Sequence, residues 1–189
     1  MRPIAVSLFG LAALVGTIVY EAVAFQRAAA AAVPNHGITL PSGYRDWAFI
    51  SVARVGPPVN DMRAKLGNPV AIRAYRAGKI PFPDGTIIAR LAYGQATSEE
   101  NNTAVRGAAV KQGLSPAQVD QLLSQSFVAG PPANVQLMVK DSKRFAFTGG
   151  WGFAQFTAGK ADTGAVLRTC FGCHAPAKEH DFVFTRYAP

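Results

Sequence analysis

Cys170 and Cys173 are the two cysteines of the chain, and His174 directly follows the second. Two thiols at this spacing beside an imidazole can do three kinds of chemistry. Covalent haem attachment adds the thiols to the two vinyl groups of the macrocycle and leaves the histidine against the iron as an axial ligand. A redox disulfide of the thioredoxin kind needs the pair to open a helix after a strand in a βαβ unit, whereas only a short stretch follows His174 here. A structural zinc site wants four ligands, and outside the motif the chain offers only the isolated His36 and His180. One covalently attached haem c, with His174 as its iron ligand, is the favoured reading. Zinc and a redox disulfide are the alternatives.

The late position of the motif carries a second inference. No methionine follows His174, so a group filling the other side of the iron must come from upstream. Met62 and Met138 are the internal methionines, and each is more often an ordinary core residue than a ligand. His180 is too close in sequence to His174 to cross to the opposite haem face. The expectation is therefore an iron with one protein ligand and an open sixth site, suited to small ligands. A saturated iron would instead make an electron-transfer cytochrome with a redox partner protein, and binding without turnover would make a gas-binding or sensing module.

The 189 residues open on Arg2, run without charge from Ile4 to Tyr20, and reach small residues between Ala24 and Ala32. That order predicts a secretory signal peptide over residues 1–32, or a marginal membrane anchor, since roughly 20 apolar residues span a bilayer. Either way the domain from 33 to 189 is expected outside the cytoplasm, in the periplasm, touching membrane only through an uncleaved N-terminus. The formal charge is +8. The Lys and Arg residues are scattered rather than clustered, and no basic run with interleaved aromatics is present, which argues against nucleic acid as a partner.

The elements that must position the motif read as follows. Residues 33–43 form an extended arm, and 44–54 form a strand rich in aromatic and β-branched residues. Asn60 could cap a short helix, while Asn68 followed by Pro69 is a better helix start, with Gly78 as its stop. The segment 86–93 alternates, with Ile87, Ala89, Leu91 and Tyr93 on one face and Ile88, Arg90 and Ala92 on the other. One face can enter the core, and the other can line a pocket with Arg90 reaching into it. A polar loop follows from Gly94. The run Ser115, Pro116, Ala117, Gln118 then has the residue types of a capping box that opens a short helix. Strands are expected over 135–141 and 149–157, a short haem-bearing helix over the motif, and a last strand over 181–188. This pattern gives an α+β fold, an antiparallel sheet with short helices and a C-terminal haem-attachment segment.

The stretches YRDW (44–47), FPDGT (82–86), VKDSKRF (139–145), GGWGF (149–153) and CFGCH with DFVFTRYAP to the end together resemble the cytochrome P-460 and cytochrome c′-beta family. Against the small hydroxylamine-oxidising members, residues 95–133 look like an insertion. The resemblance implies a periplasmic, usually homodimeric protein holding one high-spin haem, with a distal pocket for nitric oxide, hydroxylamine or similar small ligands. It also implies that Arg90 stands where the hydroxylamine-oxidising branch has a lysine cross-linked to the haem, and that Gln136 stands where that branch has a distal glutamate. A guanidinium is not a comparable nucleophile, and an amide cannot accept a proton as a carboxylate does.

Arg90 and Gln136 are accordingly the distal-pocket candidates. Phe82 is a candidate for capping the distal side, as aromatics do in the c′-beta branch, and Arg186 for neutralising a haem propionate. Trp47 and Trp151 read as core. Glu99 and Glu100 would supply a proton acceptor only if the polar loop folded over the haem.

Overall fold

Alternating apolar and polar residues build an antiparallel meander whose spatial order is its chain order: β1 (Ala48–Val55), β2 (Asp61–Gly67), β3 (Ile87–Ala96), β4 (Val128–Lys140), β5 (Trp151–Thr157) and β6 (Lys160–Ala161). The computed structural model describes residues 34–162 and 166–188. The leader or anchor expected over residues 1–32 lies outside them. Among the described residues no helix is long and apolar enough to cross a membrane. Among the described residues four short α-helices, α1 (Pro69–Arg76), α2 (Glu99–Lys111), α3 (Pro116–Ser124) and α4 (Val166–His174), complete an α+β architecture of the expected kind.

The two sheet faces bury different partners. On one, Ala89, Leu91, Leu137, Ala154 and Phe156 pack with Ile38 and Phe145, and the arm residues Leu40, Tyr44 and Trp47 lie against them. On the other, Ile50, Ile88, Trp151 and Phe153 pack with Ala71, Ile72 and Ala74 of α1, with Phe82 and Val183, and with Cys170 and Phe171 at the margin. A period of two separates the faces, so adjacent residues of β3 serve different cores. The face assignment read from the alternation of 87–93 is the one observed.

Helix α1 starts where expected. Asn68 accepts a hydrogen bond from the Ala71 amide at 2.9 Å and Pro69 occupies the first turn. Helix α3 carries the expected capping box, with Ser115 and Gln118 bonded reciprocally.

Four expectations are corrected. Asn60 caps no helix, because Asp61–Gly67 is a strand that pairs on both sides, with β1 and β3. The stretch from Gly94 is not a loop, since β3 runs on to Ala96 and α2 follows, capped by Ser98, whose hydroxyl accepts from the Asn101 amide at 3.2 Å. Only Ala109 of α2 is buried, so the helix has no apolar stripe to reveal it. The arm does not run extended throughout, because Pro34–Gly37 forms a 3-10 turn. Finally, residues 181–188 form no strand: Asp181 and Phe182 have left-handed backbone (φ 51° and 63°), and the segment meets the sheet through the Ala188 amide on the Ile50 carbonyl.

The 95–133 region thus folds mainly as a helical hairpin between β3 and β4. Its own small core is Ala109, Val119 and Leu123 with Leu114, and Arg106 pairs with Asp120 at 2.9 Å on its surface.

Candidate functional site

The motif occupies α4, and the chain after it, a 3-10 helix over Ala175–His180 and the segment beyond, positions the histidine. His174 Nδ1 lies 2.7 Å from the backbone carbonyl oxygen of Phe182. That oxygen can only accept, so Nδ1 carries the proton and Nε2 keeps its lone pair. The imidazole is flanked by Phe153 and Phe184, with ring centroids 5.0 and 5.1 Å away. Burial pushes its pKa below the ordinary histidine value, and the Phe182 carbonyl opposes this more weakly. A neutral ring with a free Nε2 is the form that ligates metal.

A buried ion pair holds the segment that presents the Phe182 carbonyl. Lys140 Nζ lies 2.7 and 2.9 Å from the two carboxylate oxygens of Asp181, and both side chains are only 6 % exposed. Asp181 also accepts the Phe82 amide at 2.8 Å, and Lys140 donates to the Gly149 carbonyl at 3.1 Å. The pair therefore ties β4, the 82–86 turn and the turn before β5 to the backbone beside the histidine.

His174 lines a cavity of about 390 Å³ together with residues of β2, β3 and β4. Arg90 and Gln136 meet in it. They are register partners on β3 and β4, and Arg90 donates to the Gln136 amide oxygen at 2.8 Å. Gln136 in turn donates to Gln155 on β5. Arg90 also donates to Asn134 at 3.2 Å and to Asp61 at 2.6 Å. Met138 lines the same cavity, whereas Met62 alternates onto the far face opposite Tyr93.

The other candidates lie elsewhere. Phe82 is buried in an aromatic group with Tyr75 and Trp151, at centroid distances of 4.9 and 5.8 Å. It borders a separate groove of about 200 Å³ that Arg186 and His180 also line. The hydrogen bond from its amide to Asp181 draws it there and away from the His174 cavity. Arg186 turns back on its own segment, donating to the carbonyls of Val183 and Phe184. Trp151 is fully buried, as a core residue should be, and Trp47 is half-buried. Glu99 and Glu100 sit exposed in the first turn of α2, where negative charge suits the helix N-terminus.

Sequence reasoning missed Asp61, Arg63 and Lys65. All three lie on β2 at alternate positions, and Arg63 and Lys65 line the cavity. The signal was present in the polar-apolar alternation of DMRAKLG, which the helix-cap reading of Asn60 obscured. Burial, and then the neighbouring charges of Arg63 and Arg90, push the Lys65 pKa below the usual lysine value. Burial likewise lowers Arg90, with Asp61 opposing.

The residues present suit a haem. One neutral imidazole with a free Nε2 faces a cavity whose walls include apolar Ile88, Met138 and Val183, and two free thiols stand one helical turn apart on the same helix. Burial raises the Cys170 pKa, with the Cys173 charge adding to it. Among the described residues no three His, Cys, Asp or Glu side chains come together as a metal-ion cluster, so the zinc alternative gains no support. No curated protein matches the chain. The model of the family named Cytochrome P460 matches residues 41–185, from the arm before β1 to the segment beyond His174, and membership implies a haem protein. On that match the chain belongs to the cytochrome P460 family.

Proposed function

We propose that the chain is an exported, periplasmic c-type haem protein that binds small nitrogenous ligands such as nitric oxide or hydroxylamine at an open iron site. Cys170 and Cys173 would carry the macrocycle and His174 would ligate its iron. The observation that carries this reading is that His174, with Nδ1 committed to the Phe182 carbonyl, shares its cavity with the donors Arg90 and Gln136.

A bound haem would supply the iron that takes the ligand and exchanges electrons with it. The chain's own residues do the rest. Phe182 holds the Nδ1 proton so that Nε2 stays available. Arg90, fixed by Asp61 and Gln136, offers hydrogen-bond donation without mobility. Among the described residues no carboxylate lines the cavity, and the Gln136 amide cannot take a proton from hydroxylamine as a carboxylate would. Ligand binding is therefore favoured over hydroxylamine oxidation.

Met138 supports a second reading, since it lines the same cavity as His174 and a thioether can saturate the iron of an electron-transfer cytochrome. Optical spectra of the ferric and ferrous protein, from a host that matures c-type haem, decide between the two. A high-spin spectrum that shifts with nitric oxide supports the open site. A low-spin spectrum indifferent to nitric oxide, and altered by Met138→Ala, supports electron transfer.

A further inference from the structure

Three cations line the His174 cavity: Arg63, Lys65 and Arg90. The sheet register brings them together. Lys65 on β2 lies directly opposite Arg90 on β3, and Arg63 points to the same face two residues earlier. One carboxylate serves two of them. Asp61 accepts from Arg63 Nε at 2.8 Å and from Arg90 at 2.6 Å, which leaves positive charge in excess. Among the described residues the Lys65 ammonium makes no hydrogen bond or ion pair.

A second observation is independent of this charge count. Arg90 Nε is buried and has no hydrogen-bond partner, although the terminal nitrogens of the same guanidinium are bonded to Asn134, Gln136 and Asp61. A buried donor without an acceptor is costly. The unpaired Lys65 ammonium lies across the register from this under-bonded guanidinium, and both favour a small anion with acceptor oxygens.

We propose that this part of the cavity is an anion site, in which Lys65, beside the positive charge of Arg63 and Arg90, holds a carboxylate-like or nitrite-like oxyanion group. The proposal deepens the proposed function and rests on it for one of two sources of that group. The oxyanion is either a carboxylate side chain of the haem itself or a free anion that enters the cavity. A neutral ligand gains nothing from the excess charge, whereas an anion does.

The test uses the holoprotein, Lys65→Gln and Lys65→Arg. Thermal unfolding is recorded in sodium formate and sodium nitrite against sodium chloride at equal ionic strength, and the midpoint potential is measured in chloride. If the anion is free, formate and nitrite raise the melting temperature of the parent and of Lys65→Arg. The formate affinity then falls roughly tenfold or more in Lys65→Gln, the scale of a lost charged hydrogen bond. If the anion is a haem carboxylate, the formate effect is absent, and Lys65→Gln alone lowers the midpoint potential. If Lys65→Gln changes neither quantity, the anion site is wrong. A low-spin iron indifferent to nitric oxide would sink the open-site function but not this site, because loss of formate stabilisation in Lys65→Gln does not require an open iron.

Discussion

The Phe182 carbonyl oxygen accepts from His174 Nδ1 at 2.7 Å, and it comes from the second of two consecutive left-handed residues. A non-glycine residue in that region costs about 1–2 kcal/mol. Two in succession persist because other contacts hold them, above all the Lys140–Asp181 pair.

That arrangement predicts a specific pattern of stabilities. Asp181→Asn or Lys140→Met leaves one buried charge without its partner, so each should destabilise the holoprotein by about 3–5 kcal/mol in urea unfolding. The double variant should cost less than the sum of the two, since it leaves no orphaned charge. It should not return to parental stability, because Lys140→Met also removes the donor to the Gly149 carbonyl. The iron–histidine stretching band in the ferrous protein should shift in Asp181→Asn, reporting a displaced Phe182 carbonyl. Simple additivity of the two substitutions would contradict the bracing role.

Gly149 adopts φ +67°, and a Cβ there would overlap the Phe182 ring. Gly159 adopts φ +76° with open space around it. Replacement of Gly159 by Ala should therefore cost only the left-handed penalty of about 1–2 kcal/mol. Replacement of Gly149 by Ala should cost clearly more and also move the iron–histidine band. Equal losses at the two sites would mean that the Phe182 ring moves aside freely.

The FPDGT and VKDSKRF stretches meet in space, since Asp84 accepts from the Ser142 hydroxyl at 2.7 Å and from the Ser142 amide at 2.8 Å. These bonds, the side-chain one first, hold the Asp84 carboxyl below its ordinary value. A depressed carboxylate contributes stability that is present above its unfolded value, near 3.8, and is lost as pH falls through the lower folded value. Ser142→Ala removes the larger cause. The difference in stability between parent and variant should be constant at neutral pH and shrink below about pH 4. A difference that does not change down to the acid limb would show that the bond carries no linkage.

How much of this was legible depended on whether local and tertiary signals agreed. The faces of β3 were readable because both sides of that strand bury something, so Ile88 and Ala89 keep strict alternation. Helices α1 and α3 were readable from their caps, which are local chemistry. The strand β2 was not read, although Met62, Ala64 and Leu66 alternate with Asp61, Arg63 and Lys65, because charges on a cavity wall look like those on a solvated surface. The segment after His174 misled in the opposite way. Phe182, Phe184 and Tyr187 suggest a strand, yet they serve the histidine and α1, and no ladder forms. Phe82 could not be placed from sequence, since its position depends on a hydrogen bond to a residue nearly a hundred positions away.

The last prediction concerns Gln136, which by the family resemblance stands where the hydroxylamine-oxidising branch has a glutamate. Restoring that residue alone should not restore a base. Arg90 already donates to the Gln136 oxygen at 2.8 Å, so the carboxylate of Gln136→Glu would form a short ion pair with it. An adjacent guanidinium lowers a carboxylate pKa by about 1–3 units, and a more acidic carboxylate is a weaker proton acceptor. Gln136→Glu should therefore bind haem normally and show no gain in hydroxylamine oxidation. Gln136→Glu combined with Arg90→Leu leaves Asp61 paired to Arg63 and frees the new carboxylate. The double variant is where any gain should emerge, measured as hydroxylamine-dependent reduction of an artificial electron acceptor. Activity in the single variant would show that Arg90 releases Gln136 when a ligand occupies the cavity, and that the donor pair is less fixed than its hydrogen bonds imply.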